Sequence, residues 1–241
     1  VAPVPTATVG FSRGAPTRLT MPALWRLTRT ETARRVYDAL KARGLTATQM
    51  DEYVADADAV DADAADADAA DADRDPPAGV EIRALDPAEA TRFEARYDAF
   101  SELRADETAV CAFDAGRGER DGEDGENGDV ADDDIVGYLF LGDPGLTYHV
   151  HPLEADVTFP GGYVRRVFVA PEARNRGIAT ALVSQAVAVA AEQGAETVHA
   201  LVARDNRPSQ WTFESVGFRV ARARAYYRVG PWRRRRVEPG S

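Results

Sequence analysis

The stretch Tyr163–Gly194, YVRRVFVAPEARNRGIATALVSQAVAVAAEQG, constrains the fold more than any other part of the chain. Tyr163 to Val169 is dense in β-branched and aromatic residues, which suit a buried strand, and Pro171 stops it. From Gly177 onward Ile178, Ala181, Leu182, Ala186, Val189 and Ala190 recur at helical spacing, and Gly194 stands where a C-terminal cap would. The helix therefore opens at Arg174-Asn175-Arg176-Gly177-Ile178-Ala179-Thr180. Small residues at Gly177, Ala179 and Thr180 let a ligand approach a backbone whose first-turn N–H groups have no intrahelical partner. Those donors, the positive end of the helix dipole and the arginines Arg174 and Arg176 together make an anion site of pyrophosphate size.

A second motif follows, with a strand between. The first reads V-x-P-x-x-R-x-x-G-I-A from Val169 to Ala179, the second N-x-x-S-x-x-x-F-E-x-x-G-F from Asn206 to Phe218. Together and in this order they resemble the GNAT superfamily of acyl-CoA-dependent N-acetyltransferases. The resemblance implies an α/β protein of the α+β kind, with a mixed, mostly antiparallel sheet and helices on both faces. It also implies acetyl-CoA as co-substrate, an amine acceptor, direct attack in a ternary complex and no metal. By the same resemblance the backbone of Val167, Phe168 and Val169 lines the pantetheine arm, and the Val169 N–H donates to the thioester carbonyl. Arg174, Asn175, Arg176, Gly177, Ile178, Ala179 and Thr180 hold the pyrophosphate. Asn206 touches the pantetheine arm or simply caps its helix. Phe213 packs beside the cofactor or is an ordinary core aromatic.

The chain departs from these relatives at two places. Many carry Tyr where this chain has Phe213, proposed to protonate the leaving thiolate. The ribosomal-protein alanine acetyltransferases, loosely echoed by Gly217-Phe218 and Tyr226-Tyr227, also carry a Glu where this chain has Leu201. Replacement acids and bases are Glu154, with Asp156 less favoured, and Tyr226 or Tyr227 as proton donor. His149 and His151 share one face of a strand and His199 lies on another; structural roles outweigh zinc binding for these three. Arg165 and Arg166 are expected on opposite strand faces, one meeting a substrate carboxylate or pairing with an acid. An α-amino group, about 14% neutral at pH 7 against about 0.04% for a lysine amine, suits a site without an obvious strong base. The acceptor is a protein N-terminus or a small-molecule amine. The alternatives are a non-catalytic acyl-CoA-binding or sensing module, or a transferase with a longer acyl donor.

Composition narrows the setting. Cys111 is the only cysteine, so no intrachain disulfide forms, which agrees with a reducing cytoplasm. No apolar run reaches bilayer-spanning length, and no signal-peptide pattern opens the sequence. No membrane partner is expected. The formal charge is −11 with Lys41 the sole lysine, which suggests a halophilic surface rather than a substrate preference. The four consecutive arginines Arg233–Arg236 resemble a nucleic-acid patch but better fit a salt-bridged final strand, so no nucleic acid is expected. A homodimer is left open.

In chain order, residues 1–20 lack periodicity and read as disordered, and 21–54 read as a small helical segment. Its first helix spans Thr30–Arg43 and its second lies around Thr48 to Val54. Residues 55–78 are an acidic Ala/Asp tether spanning roughly 25 Å as a coil. The acyltransferase domain is expected over 79–241, with 116–134 a flexible acidic insertion and His151 to Gly162 irregular.

Overall fold

A computed structural model describes residues 44–58, 76–114 and 135–240. The strands are β1 (Leu45–Asp56), β2 (Val80–Leu85), β3 (Glu107–Asp114), β4 (Ile135–Gly142), β5 (Thr147–Val150), β6 (Ala155–Thr158), β7 (Gly162–Val169), β8 (Thr197–Ala203), β9 (Arg219–Val229) and β10 (Trp232–Pro239). The α-helices are α1 (Pro87–Ala90), α2 (Ile178–Glu192) and α3 (Arg207–Ser215). Eight strands form one sheet in the order β10-β9-β1-β8-β7-β4-β3-β2, and β5 and β6 form a separate hairpin. Every neighbouring pair is antiparallel except β7 with β8. The mixed, mostly antiparallel α+β architecture expected from the sequence is the one observed.

Alternating side chains divide the core into two faces, as the two-residue period of a strand requires. Val110, Leu139, Leu141, Val164 and Val198 face α2, whose Ile178, Leu182, Val183, Ala186 and Ala190 lie against them. Phe213 and Phe218 join the same cluster. On the other face Cys111, Phe113, Tyr138 and Phe140 meet Phe93 and Phe100 from two 3-10 turns, Thr91–Phe93 and Asp98–Glu102. Further along that face the β5–β6 hairpin lays Tyr148, Val150, Leu153 and Val157 over Tyr163, Tyr226, Met50 and Leu201.

One expected helix is a strand. The residues around Thr48 to Val54 lie inside β1, which is inserted between β8 and β9 and paired with both. Tyr53 and Ala55 point to the α2 face, while Met50 and Glu52 point to the other. Glu52 breaks the apolar alternation, which hid the strand period from a reading by hydrophobicity alone. The sheet therefore begins well before Gly79, and Ala55 and Asp56, assigned to the tether, end β1. The stretch expected to be irregular, His151 to Gly162, contains β6. The disordered tract 1–20, the helix Thr30–Arg43 and the insertion 116–134 lie outside the described residues, as does most of the acidic tether. No helix among the described residues is long and apolar enough to cross a membrane.

Glu52 is buried in the sheet and holds β1 to both neighbours. Its carboxylate takes Arg224 of β9 at 2.6 Å and stands 3.3 Å from the His199 imidazole of β8. Burial alone would push the carboxyl up, but the neighbouring His199 imidazole, the hydrogen bond from Arg224 and the charge of Arg224 hold it below the usual carboxylate range. A carboxyl depressed on folding contributes stability above its unfolded value and loses it as pH falls through its folded value. Glu52→Gln leaves the Arg224 cation without its counter-charge, at a cost of about 3 kcal/mol. Denaturant melts should show the full gap between wild type and Glu52→Gln above pH 4.5, closing as the pH is lowered further. A gap independent of pH would mean that packing rather than charge carries the effect.

Candidate functional site

Two parallel strands part in the middle of the sheet. β7 and β8 pair only over Gly162, Tyr163 and Val164 with Val198, His199 and Ala200. Beyond that point β7 stays with β4, and β8 stays with β1. The parting coincides with a bulge, where the register of β4 on β7 shifts and Arg166 takes a left-handed φ of 56°. A non-glycine residue in that region costs about 1 kcal/mol or more.

The register tells which backbone groups face the fork. The Ala170 N–H donates to Val136 O at 2.8 Å, so Phe168, two residues back, is also turned toward β4. Val169 and Val167 therefore direct their N–H and C=O groups away from β4, into the opening. The Val169 carbonyl accepts a hydrogen bond there from Arg174 Nε at 3.0 Å. The side chains of Val167 and Val169 pack on the main core, and Phe168 stacks on Tyr138 from the opposite face, with centroids 5.2 Å apart.

The chain then makes the turn that starts α2. A 3-10 turn over Pro171–Ala173 leads to Asn175 at φ 60° and Gly177 at φ 80°, the N-cap, and no side chain caps the helix. Among the described residues none of the backbone N–H groups from Arg174 to Thr180 donates to a protein acceptor; the next, on Ala181, bonds to Gly177 O. Left-handed residues alternating with ordinary ones turn successive N–H groups into one concavity, a nest for anions. Arg174 and Arg176 are exposed beside it, Arg176 lying 3.8 Å from Asp114. The helix start sits low on the sheet because Gly137 is beneath it. A Cβ there would come within 3.1 Å of Leu182 Cδ1 and Phe168 O and 3.2 Å of Ile178 Cγ2.

The remaining expected residues are more scattered. Asn206 caps α3, its Oδ1 accepting from the Ser209 N–H at 3.4 Å, so the capping role is the one seen. Phe213 is in the core, its ring 5.0 Å from Phe218 and 6.2 Å from Tyr53. Glu154 is exposed with a left-handed φ of 48°, and its carbonyl accepts from Arg235. Tyr226 is buried under the β5–β6 hairpin. Tyr227, on the opposite sheet face, accepts a hydrogen bond from Gln49 Nε2 at 2.7 Å. The structure thus joins Val167, Val169 and the Arg174–Thr180 turn at one fork, while Glu154 and Tyr226 share Arg235 at the β5–β6 hairpin and Tyr227 lies on the opposite sheet face.

Arg165 and Arg166 do not point to opposite faces. The bulge breaks the alternation, and both reach the segment 102–107. Arg165 holds the buried Glu107 through Nε at 2.6 Å and Nη2 at 2.5 Å, and Arg166 pairs with Glu102. Both cations at the bulge therefore have acids on them already. The Cys111 thiol, fully buried, is pushed up to about 12 by that burial, so it stays protonated and is no nucleophile. His149 pairs with Asp156 at 2.7 Å. No group of three or more His, Cys, Asp or Glu among the described residues is arranged to hold a metal.

Two buried acids were missed by sequence reasoning, Glu52 and Glu107. Each is the second of two adjacent acids, Asp51-Glu52 and Asp106-Glu107, at a strand position whose arginine partner lies far along the chain, Arg224 and Arg165.

Comparison with known proteins places this geometry. The family model described as the acetyltransferase (GNAT) family matches residues 86–218, more than half of the 241-residue chain. Solved structures align with the chain at low identity and with TM-scores under 0.5. A Drosophila protein is 16% identical with a TM-score of 0.46, the alignment covering 82% of this chain and 57% of that one. A GCN5-related N-acetyltransferase from Sphaerobacter thermophilus is 15% identical, TM-score 0.46, covering 87% and 58%. A ribosomal-protein-alanine N-acetyltransferase from Brucella melitensis is 20% identical, TM-score 0.37, covering 57% and 90%. The chain thus spans under two thirds of the length of the first two. No curated protein matched the sequence. With both motifs in register, the fork between β7 and β8 and the uncapped start of α2, the chain belongs to the GNAT acetyltransferase family.

Proposed function

We propose that this protein transfers an acetyl group from acetyl-CoA to an amine, by direct attack of the amine on the bound thioester. The observation that carries the reading is the row of backbone N–H groups from Arg174 to Thr180 at the mouth of the β7/β8 fork, which have no acceptor among the described residues. The pyrophosphate belongs on that row, beside Arg174 and Arg176. The pantetheine arm belongs along Val167–Val169, where main-chain groups face the opening and can pair with its amides. The Val169 N–H is then the donor to the thioester oxygen. Negative charge grows on that oxygen as the amine attacks, so a fixed donor there contributes a few kcal/mol to the transition state.

The proton inventory favours an α-amino acceptor. Among the described residues the two acids that reach the bulge, Glu107 and Glu102, are already paired with Arg165 and Arg166 and are not free to deprotonate a lysine ammonium. An α-amine supplies a neutral fraction on the order of 10²-fold larger than a lysine amine at pH 7. Glu154, exposed on the hairpin that covers the β8–β1 face, is the candidate base, acting through water. Tyr227 is the exposed-side hydroxyl of the tyrosine pair. A second reading, a non-catalytic acyl-CoA-binding module, is favoured by one observation: the aromatic of the second motif, Phe213, has no hydroxyl and lies in the core.

Two measurements test these readings. Release of CoA thiol from acetyl-CoA, followed with a thiol-reactive dye over a panel of amines, should show peptide α-amines outrunning lysine side-chain amines by roughly 10²-fold at pH 7. Failure of every amine and every acyl donor, while acetyl-CoA still raises the melting temperature, establishes the binding module. Thr180→Glu sets a carboxylate among the first-turn donors. An acid there suits the helix dipole, so the melting temperature should hold, while CoA affinity measured by calorimetry falls at least about tenfold. Unchanged CoA affinity in that variant would remove the anion site from α2.

A further inference from the structure

Charge is segregated in this chain. The formal net charge is −11, yet residues 219–239 hold eight arginines and one acid, Glu238. Those residues form the β9–β10 hairpin, and among the described residues β10 is the outermost strand, paired with β9 alone and exposed along its whole length.

Among the described residues, ion pairs cover few of these cations. Arg224 binds Glu52 at 2.6 Å, Arg219 binds Asp56 at 3.2 Å, and Arg236 stands 3.9 Å from Glu238. Arg228 donates to the Gly230 carbonyl, and Arg235 to those of Leu153 and Glu154. Among the described residues Arg222, Arg233 and Arg234 meet no carboxylate within ion-pair distance.

The backbone of β10 is ordered for pairing. The Gly240 N–H donates to Ala221 O at 2.8 Å, which sets the parity of the β9–β10 ladder. Gly240 and every second residue before it are bonded to β9. Arg233, Arg235 and Val237 therefore turn their main-chain N–H and C=O groups outward, a free ladder edge. Pro239, which has no N–H, occupies one of the outward positions, where proline is tolerated. Along this edge Arg233 and Arg235 project to one face of the sheet, Arg234 and Arg236 to the other.

We propose that the free edge of β10 docks an acidic polypeptide in extended conformation, which adds to the sheet as a further strand. Main-chain groups supply the ladder, and carboxylates on either face of the added strand meet the arginine pairs. A second copy of this chain does not fit: β10 against β10 would set arginines beside arginines, and like charges directly opposite are destabilising. A nucleic acid could use the guanidinium groups but not the outward N–H and C=O row. Exposed Trp232 and Val237 supply apolar contact for the side chains of an added strand. The inference concerns binding at the sheet edge and does not rest on the transferase reading.

The probe is a fluorescent Asp-Ala repeat peptide long enough to span β10, titrated with the full chain by fluorescence anisotropy at several salt concentrations. An Asn-Ala peptide of equal length and a single-stranded DNA oligonucleotide serve as competing probes. The acidic peptide should bind at least about tenfold tighter than the neutral one, and more weakly as salt rises. Arg233→Glu/Arg234→Glu should abolish binding, with Arg233→Gln/Arg234→Gln as the milder pair should the first variant fail to fold. Val237→Pro removes one outward N–H without changing charge and should weaken binding with the melting temperature retained. Equal binding of neutral and acidic peptides, tighter binding of DNA, indifference to Val237→Pro, or self-association of the chain in sedimentation would each overturn the proposal.

Discussion

The fork between β7 and β8 is the constraint on which the rest depends. Parallel strands that pair over three residues and then part leave main-chain donors and acceptors on two inner edges. Such groups are costly when buried and unpaired, so an opening of this kind persists only where the surrounding structure insists on it. Here each arm has a second partner that fixes its course. β4 carries β7 away through the bulge at Arg166, and β1 carries β8. The start of α2 closes the wide end, and its own unsatisfied N–H groups face the same opening.

Charge is used to hold both arms. On the β7 side the buried Glu107 takes two N–H groups of Arg165, fixing the residue before the bulge to the start of β3. On the β8 side Glu52 ties β1 to β8 and β9 through His199 and Arg224. A buried ion pair rarely adds net stability over apolar packing, but it admits fewer registers. A one-residue slip of β1 would carry Glu52 to the α2 face, among Val198, Ala200 and Phe213, where nothing is placed to receive a carboxylate. The two acids thus select the registers that keep the fork open.

Most of the fork was legible in the sequence because its residues answer to backbone rules. Proline at 171, glycine at 177 and the helical repeat after it locate the turn from conformational cost alone. The general family followed from two spaced motifs. What escaped was whatever depends on a partner distant in sequence. β1 looks helical by itself, and only β8 and β9 on its two sides make strand the better state. The opposite faces assigned to Arg165 and Arg166 presumed a regular strand, and the bulge is set by pairing with β4. Asn206 and Phe213 illustrate a different gap: the motif names the positions, while capping and core packing account for both side chains as they stand.

That last point bears on the chemistry. Tyr53, brought beside Phe213 by β1, gives its hydroxyl to Glu214 at 3.0 Å, and burial first, then that bond, pushes it up to about 12. So firmly held a proton is a poor one to surrender, and the pair Tyr53–Phe213 reads as packing between α3 and the sheet. On the proposed reaction this is tolerable. A thiol of pKa about 8.5 departs well enough as thiolate that omitting a general acid costs about 10²–10⁴-fold at most. The demanding proton is the one on the incoming amine, and among the described residues the acids at the bulge, Glu107 and Glu102, are already paired with Arg165 and Arg166. On the proposed reaction the site holds the acyl group on a fixed N–H and takes an amine that arrives neutral, so selectivity follows from the basicity of the acceptor as much as from its shape.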